Sequence, residues 1–498
     1  MLVPPPHPAR LRRTPLLARA VDSGWAAALA VTALAGLLRF WRLGHPRAVL
    51  FDETYYAKDA WSLLTYGYEG SWPDDADARL LDRPPHLGLT AAPEFVAHPP
   101  VGKWLIALGE AAFGPTPLGW RFVPALLGTL SVLLLCRIGR RLLGSTALGC
   151  LAGLLLCLDG LHFVLSRTAL LDIALMFWVL AAFGCLLLDR DALRARLAAG
   201  VDGGPRWWRL AAGTCLGLAC GTKWSAGYSL VAFLLLTLAW EVGAQQPCGS
   251  GLSAIRRAAP GALAALLPAA ALTYLASWSG WLATSGGWDR DWAARQGRVG
   301  PPLGWIPAAL RGLFHYHQEI WEFSVQLTTP HRYQSEPADW LLLTRPVSYF
   351  YRLTGQGVGG CRADQCTREV LALGTPLLWW VGLVALGCLA HRVLWRRDGR
   401  AAAVLCAVAA GYLPWFLYRG RTVFSFYSVA FAPFLCLAVA MLVQAPAGPG
   451  GRRWVRPVVA VLLLAGVAAN FVWFLPLYTG RPLPTVAWQH RIWFDSWD

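Results

Sequence analysis

The chain has 498 residues, 56% hydrophobic and 14% charged, with a mean hydropathy of +0.44 and a formal net charge of +16. Soluble domains carry about 25% charged residues, and a single core stops growing near ~250–300 residues. An ordinary soluble fold is therefore excluded, and lipid is the simplest solvent for this much apolar surface. The basic excess also needs no nucleic-acid partner, because it gathers on one set of short loops between apolar runs.

In chain order, residues 1–23 are Pro- and Arg-rich and read as a cytoplasmic N-terminus without a cleavable signal peptide. Apolar runs long enough for about 30 Å of hydrocarbon follow at 24–41, 119–136, 146–165, 170–188, 210–222, 226–241, 260–278, 371–390, 401–418, 424–443 and 457–475. The run 210–222 is short for a span. The expected architecture is an all-α polytopic membrane protein with about eleven spans, interrupted by two long polar segments at 42–118 and 279–370.

Arginines crowd the segments 1–23, 137–145, 189–209, 242–259, 391–400 and 444–456. By the positive-inside rule these face the cytoplasm, beside an anionic leaflet. Both long loops, the tail 476–498 and all three lysines (Lys58, Lys103 and Lys223) then lie outside. The expected units are a membrane module over 24–278, an outer loop over 279–370, a four-span module over 371–475 and an outer tail. Segments 55–68 and 305–325 read as amphipathic helices at the membrane surface.

Most of the twelve cysteines lie in apolar runs, where a free thiol packs as a small hydrophobe. Cys361 and Cys366 stand in a polar outer stretch and could form a small-loop disulfide in an oxidising compartment. No Cys/His spacing reads as a metal site.

Five outer turns carry chemistry-bearing residues. FDETYYAKDAW (51–61) contributes the adjacent carboxylates Asp52 and Glu53, which could also be a helix N-terminal pair. HPPVGKWL (98–105) puts Lys103 at the start of a helix, where it could hold an anion or snorkel. SRTALLD (166–172) offers Arg167 and Asp172, which could pair with each other. GTKWS (221–225) carries Lys223, and YRGRTVFSFY (418–427) carries Arg419 and Arg421. Arg39, Arg121 and Asp159 lie in or near spans, where charge is expensive and is a functional candidate by default. One acidic site beside several cations at a membrane face suits a general base and a lipid phosphate.

These motifs, in this order over about 35–475, resemble the bacterial protein O-mannosyltransferases, with an Arg/Ala-rich composition of actinobacterial type. The resemblance implies a GT-C membrane fold of eleven spans in the plasma membrane, N-terminus inside, C-terminus outside, with a catalytic first outer loop. It implies inverting transfer of mannose from polyprenyl-phosphate mannose to Ser or Thr hydroxyls of secreted or membrane proteins. A related enzyme with a lipid or glycan acceptor is the alternative.

By that resemblance Asp52 is the base and Glu53 orients a substrate. Lys103, Arg121, Lys223, Arg419 and Arg421 hold the donor phosphate. Arg39 would brace the acidic pair, and His98, Arg167 and Asp172 would support the site. A polyprenyl phosphate leaves without protonation, so a second carboxylate of the glycosidase kind is not required. No cofactor is expected; a divalent ion on Asp52 and Glu53 is conceivable but not favoured. Partners would be the lipid donor, the acceptor polypeptide, the bilayer and conceivably the secretion translocon.

Overall fold

The structure is a computed structural model that describes residues 24–497 apart from 83–84, 86, 202–203, 246–250, 298–303, 419 and 445–454. The expected cytoplasmic segment 1–23 and Arg419 thus lie outside the described residues. The chain is mostly helical. Its principal helices are α1 (Trp25–Phe40), α2 (Glu53–Tyr66), α3 (Val101–Phe113), α4 (Pro117–Leu143), α5 (Thr146–Cys157), α6 (Leu171–Ala198) and α7 (Trp207–Cys220). They continue with α8 (Ala226–Gln245), α9 (Gly251–Ser277), α10 (Ala308–Gln326), α11 (Pro376–Arg396), α12 (Gly399–Tyr412), α13 (Ala432–Gln444) and α14 (Val455–Thr479).

Among the described residues, seven helical stretches are long and apolar enough to cross a membrane: Pro117–Leu143, Leu171–Ala198, Ala226–Ala244, Ala259–Ser277, Pro376–Arg396, Gly399–Leu417 and Val455–Thr479. Trp25–Phe40, Thr146–Cys157 and Ala432–Gln444 are apolar but shorter. α4 and α6 run through the middle of the bundle with most of their length buried, whereas α9 and α14 turn most of theirs outward. α4 begins as its sequence dictates: the Thr116 hydroxyl accepts from the Gly119 amide and Pro117 opens the first turn.

Several expected runs are broken by polar or proline residues. The run 146–165 divides at Asp159, whose carboxylate caps the short helix Gly160–Leu165 and also accepts from the Thr375 amide and the Trp379 indole. This clasp ties the N-terminal half of the bundle to α11. The run 401–418 tightens into a 3-10 turn at Leu413–Leu417, where Pro414 lacks a backbone donor. The run 424–443 is helical only from Ala432, preceded by the 3-10 turn Ser425–Ala430.

The all-α expectation needs one correction. β1 (Val347–Gly355) and β2 (Gln365–Ala372) form an antiparallel hairpin, joined on the far side of β2 by β3 (Leu483–Pro484). Its strands are rich in β-branched and aromatic residues, and Cys361 is disulfide-bonded to Cys366 beside it. The sheet packs its buried residues Val347, Tyr349, Val370 and Leu371 into the main core.

Both surface segments are helical. The second is α10, with Trp321 and Phe314 exposed on one face. The first is α2, whose residues Glu53, Tyr56, Ala57, Asp59, Ala60 and Leu63 are buried. α2 is therefore half embedded in protein. The two long polar segments interlock: Tyr316 of α10 is fully buried, and its hydroxyl accepts from the Val96 amide at 3.3 Å.

Candidate active site

The loop from α1 into α2 is pinned by one buried ion pair. Arg121 and Glu53 are both 0% exposed, joined by contacts of 2.7 Å from Nε to Oε1 and 2.7 Å from Nη2 to Oε2. Glu53 also accepts from the Leu50 amide at 2.9 Å and the Ala169 amide at 3.0 Å. Arg121 also donates to the Pro46 and Ala48 carbonyls at 2.9 and 2.7 Å. Each charge is thus paired and hydrogen-bonded, which burial requires. This corrects two expectations: both Glu53 oxygens are doubly engaged and orient no substrate, and Arg121 is fully buried against Glu53 and is absent from the wall of the cavity that Asp52 opens into, so it faces no phosphate.

The clamp delivers Asp52 at the start of α2. The preceding residue, Phe51, has φ 45°, a left-handed conformation unusual for a bulky side chain. Its ring is held by stacking on Tyr349 of β1 at 5.0 Å, with Phe424 and Phe426 edge-on at 5.9 and 5.8 Å. The half-buried Asp52 carboxylate has no hydrogen-bond or ion-pair partner among the described residues. Burial pushes its pKa up to about 7, with Lys223 opposing the rise and Asp172 adding to it.

Asp52 opens into a cavity of about 360 Å³ whose wall includes Tyr56, Asp59, Glu94, His98, Lys103, Lys223, Arg421 and Tyr427. The ammonium of Lys223 lies 3.0 Å from Asp172 and 4.0 Å over the Tyr427 ring. The Arg421 Nε donates to the Ser324 carbonyl at 2.7 Å, and Arg421 has no carboxylate partner among the described residues. Burial, reinforced by Lys223, Lys103 and Arg421, pushes His98 well below the usual imidazole pKa, so it faces the cavity neutral. A neighbouring cleft of about 120 Å³, lined by Trp224, Trp321, Val325, Trp415 and Tyr418, shares Lys223, His98 and Arg421 with this cavity.

Lys103 is differently placed. It is fully buried and ion-paired with Glu69, with Asp59 at 4.0 Å. Its charge is met before any phosphate arrives. Burial pushes Asp59 up to about 7 despite Lys103, helped by Glu69 and Glu94.

Two further expectations change. Arg167 and Asp172 do not pair with each other: Arg167 donates to the carbonyls of Arg39 and Trp41 at 2.6 and 2.9 Å, closing the end of α1, and Asp172 serves Lys223. Arg39 is contacted by Ser166, His162 and the Leu156 carbonyl rather than by the acidic pair. The structure thus brings together Asp52, Lys103, Lys223, Arg421 and His98, backs Lys223 with Asp172, and leaves Glu53, Arg121, Arg39 and Arg167 in the supporting frame.

Asp59, Glu69, Glu94, Tyr349 and Tyr427 do not stand out in the sequence as site residues, whereas Tyr56 stands out there only as an aromatic beside the acidic pair. The helical spacing of Tyr56 and Asp59 from Asp52 was the available signal. Among the described residues, no group of three or more His, Cys, Asp or Glu side chains could hold a metal ion.

Residues 29–246 match the family model described as dolichyl-phosphate-mannose-protein mannosyltransferase. Residues 309–497 match that for the C-terminal four-TMM region of protein O-mannosyltransferase. The chain is 38% identical, over 100% of its length and 96% of the relative's, to the polyprenol-phosphate-mannose–protein mannosyltransferase of Mycolicibacterium smegmatis. It is 33% identical to the namesake of Corynebacterium glutamicum, over 99% and 96% of the two chains. In fold it is similar to the Saccharomyces cerevisiae protein O-mannosyltransferase Pmt1-Pmt2 complex bound to the sugar donor. That match has a TM-score of 0.73 at 15% identity and covers 95% of this chain and 92% of that one.

Proposed function

The chain belongs to the protein O-mannosyltransferase family, and we propose that it moves mannose, with inversion, from polyprenyl-phosphate mannose to Ser or Thr hydroxyls of polypeptides, using Asp52 as general base. The observation that carries this reading is the unpartnered Asp52 carboxylate, in one cavity with Lys223 and Arg421.

In the reaction, Asp52 takes the proton of the acceptor hydroxyl as its oxygen attacks the anomeric carbon. The bond from that carbon to the phosphate oxygen breaks, and its electron pair leaves with polyprenyl phosphate. A carboxylate with a pKa near 7 is a stronger base than an ordinary one, and its raised value lies near the operating pH. Arg421 and Lys223 face the charge that builds on the phosphate; fixed donors of this kind avoid reorganisation as the bond breaks. Neutral His98 can add a hydrogen bond. The aromatic cleft beside them suits the first isoprene units of the donor. With the leaving charge met by protein cations, the scheme needs no metal.

Eleven membrane crossings accompany this reading, with the N-terminus cytoplasmic and the C-terminus, both long loops and the cavity outside the plasma membrane. The arginine asymmetry supports it, as does the Cys361–Cys366 bridge, a bond kept in oxidising compartments. An outer site would meet acceptors as they emerge from the secretion translocon. The test is to incubate the purified chain with radiolabelled polyprenyl-phosphate mannose and a Ser/Thr-rich secreted peptide. Label should enter the peptide as mild-base-labile mannose; label entering only lipid would redirect the assignment to another acceptor.

A further inference from the structure

The catalytic cavity has two chemically different ends. Around Asp52 stand Lys223, Arg421 and His98; two turns further along α2 stand Asp59, Glu94 and the Lys103–Glu69 pair. The second end is poorly suited to phosphate, because Asp59, Glu69 and Glu94 outnumber Lys103 there. Carboxylates bind sugar hydroxyls well, since each ionised oxygen accepts from an O–H.

Two observations point to a hydroxylic ligand at this end. Asp59 is 6% exposed and lines the cavity, yet its carboxylate has no hydrogen bond among the described residues, with only Lys103 at 4.0 Å. Tyr56 is 9% exposed, lines the same cavity, and its hydroxyl likewise has no partner among them. Both polar groups reach the cavity, where the hydroxyls of a ligand would partner them. Asp52, Tyr56 and Asp59 are spaced i, i+4 and i+7, so they lie along one face of α2. That spacing rises about 10 Å along the axis, enough for a hexose ring to lie between the base and Asp59.

Resting on the mannosyltransferase reading, we infer that Asp59 and Tyr56 form the sugar subsite of the lipid donor. They accept from and donate to hydroxyls remote from the anomeric carbon, while the Lys103–Glu69 pair holds Asp59 in place. α2 then acts as a ruler: Asp52 at its N-cap meets the acceptor hydroxyl that attacks the sugar, and Tyr56 and Asp59, one to two turns on, read the sugar.

The test compares binding of two ligands, polyprenyl-phosphate mannose and bare polyprenyl phosphate, to the full-length protein in nanodiscs. Wild type should prefer the mannosylated lipid. Asp59→Ala and the milder Tyr56→Phe should each lose about tenfold or more of that preference, the scale of one hydrogen bond to a charged or buried group, while affinity for bare polyprenyl phosphate stays within twofold. Variants that keep the preference would overturn the subsite, as would equal losses for both ligands or a wild type without preference. The readout needs no turnover. A protein that prefers the mannosylated lipid yet labels no peptide would contradict the function and leave the subsite standing.

Discussion

Arg121 holds Glu53 by two contacts of 2.7 Å at zero exposure, across 68 residues of sequence. The pair fixes the loop that presents Asp52, so Glu53 serves position, and Asp52 beside it is the carboxylate left free for the proposed base. Removing one partner strands the other as a buried charge, at a cost of about 3–5 kcal/mol. Glu53→Ala should therefore lower the thermal midpoint markedly in detergent. Arg121→Lys should also lower it, because a lysine cannot make the two parallel contacts to Glu53. A Glu53→Ala protein of wild-type stability would contradict this role.

Arg421 is the cavity's cation without a carboxylate partner among the described residues. Arg421→Ala should lower the transfer rate by about 10²–10³, the scale for losing one fixed donor to developing charge. Steady-state kinetics with varied lipid donor check this. The acceptor KM should change little.

As the proposed base Asp52 would act in its ionised form, and burial pushes its pKa up to about 7. The kcat/KM for transfer should therefore fall as pH drops through about 7. Asp59 also titrates near 7, so the limb should be measured again in Asp59→Ala, where it should persist. The sign for stability is opposite. A raised carboxylate pKa means the folded state binds more protons than the unfolded state, so this group's contribution weakens as pH rises from about 4 to 7. Asp52→Asn should accordingly match or exceed wild type in thermal stability.

The leaving phosphate is met by Lys223 and Arg421 in this account. Transfer should therefore survive exhaustive EDTA treatment within about twofold. A loss restored by a divalent ion would add a metal to the site.

The bundle was legible because apolar length and arginine asymmetry act over whole segments. Asp52, Lys223 and Arg421 were legible because each stands in a short polar turn beside a span. Other features depend on packing that one sequence does not display. The Glu53–Arg121 clamp joins a loop to α4, and only burial separates it from the neighbouring Asp52. Lys103 looked like a phosphate ligand until the fold brought Glu69 and Asp59 against it. Arg167 and Asp172 sit close in sequence but face different partners, the end of α1 and Lys223. The hairpin of β1 and β2 lies almost wholly in the long segment 279–370, where only 305–325 carries a pattern that reads as a regular element.

The most direct measurement is single-turnover mannosyl transfer by Asp52→Asn, with saturating polyprenyl-phosphate mannose and peptide acceptor. The substitution keeps the shape and removes the base. The account predicts that lipid-donor binding and folding are retained while transfer falls by about 10² or more. Transfer at the wild-type rate would contradict the assignment of Asp52 as the base.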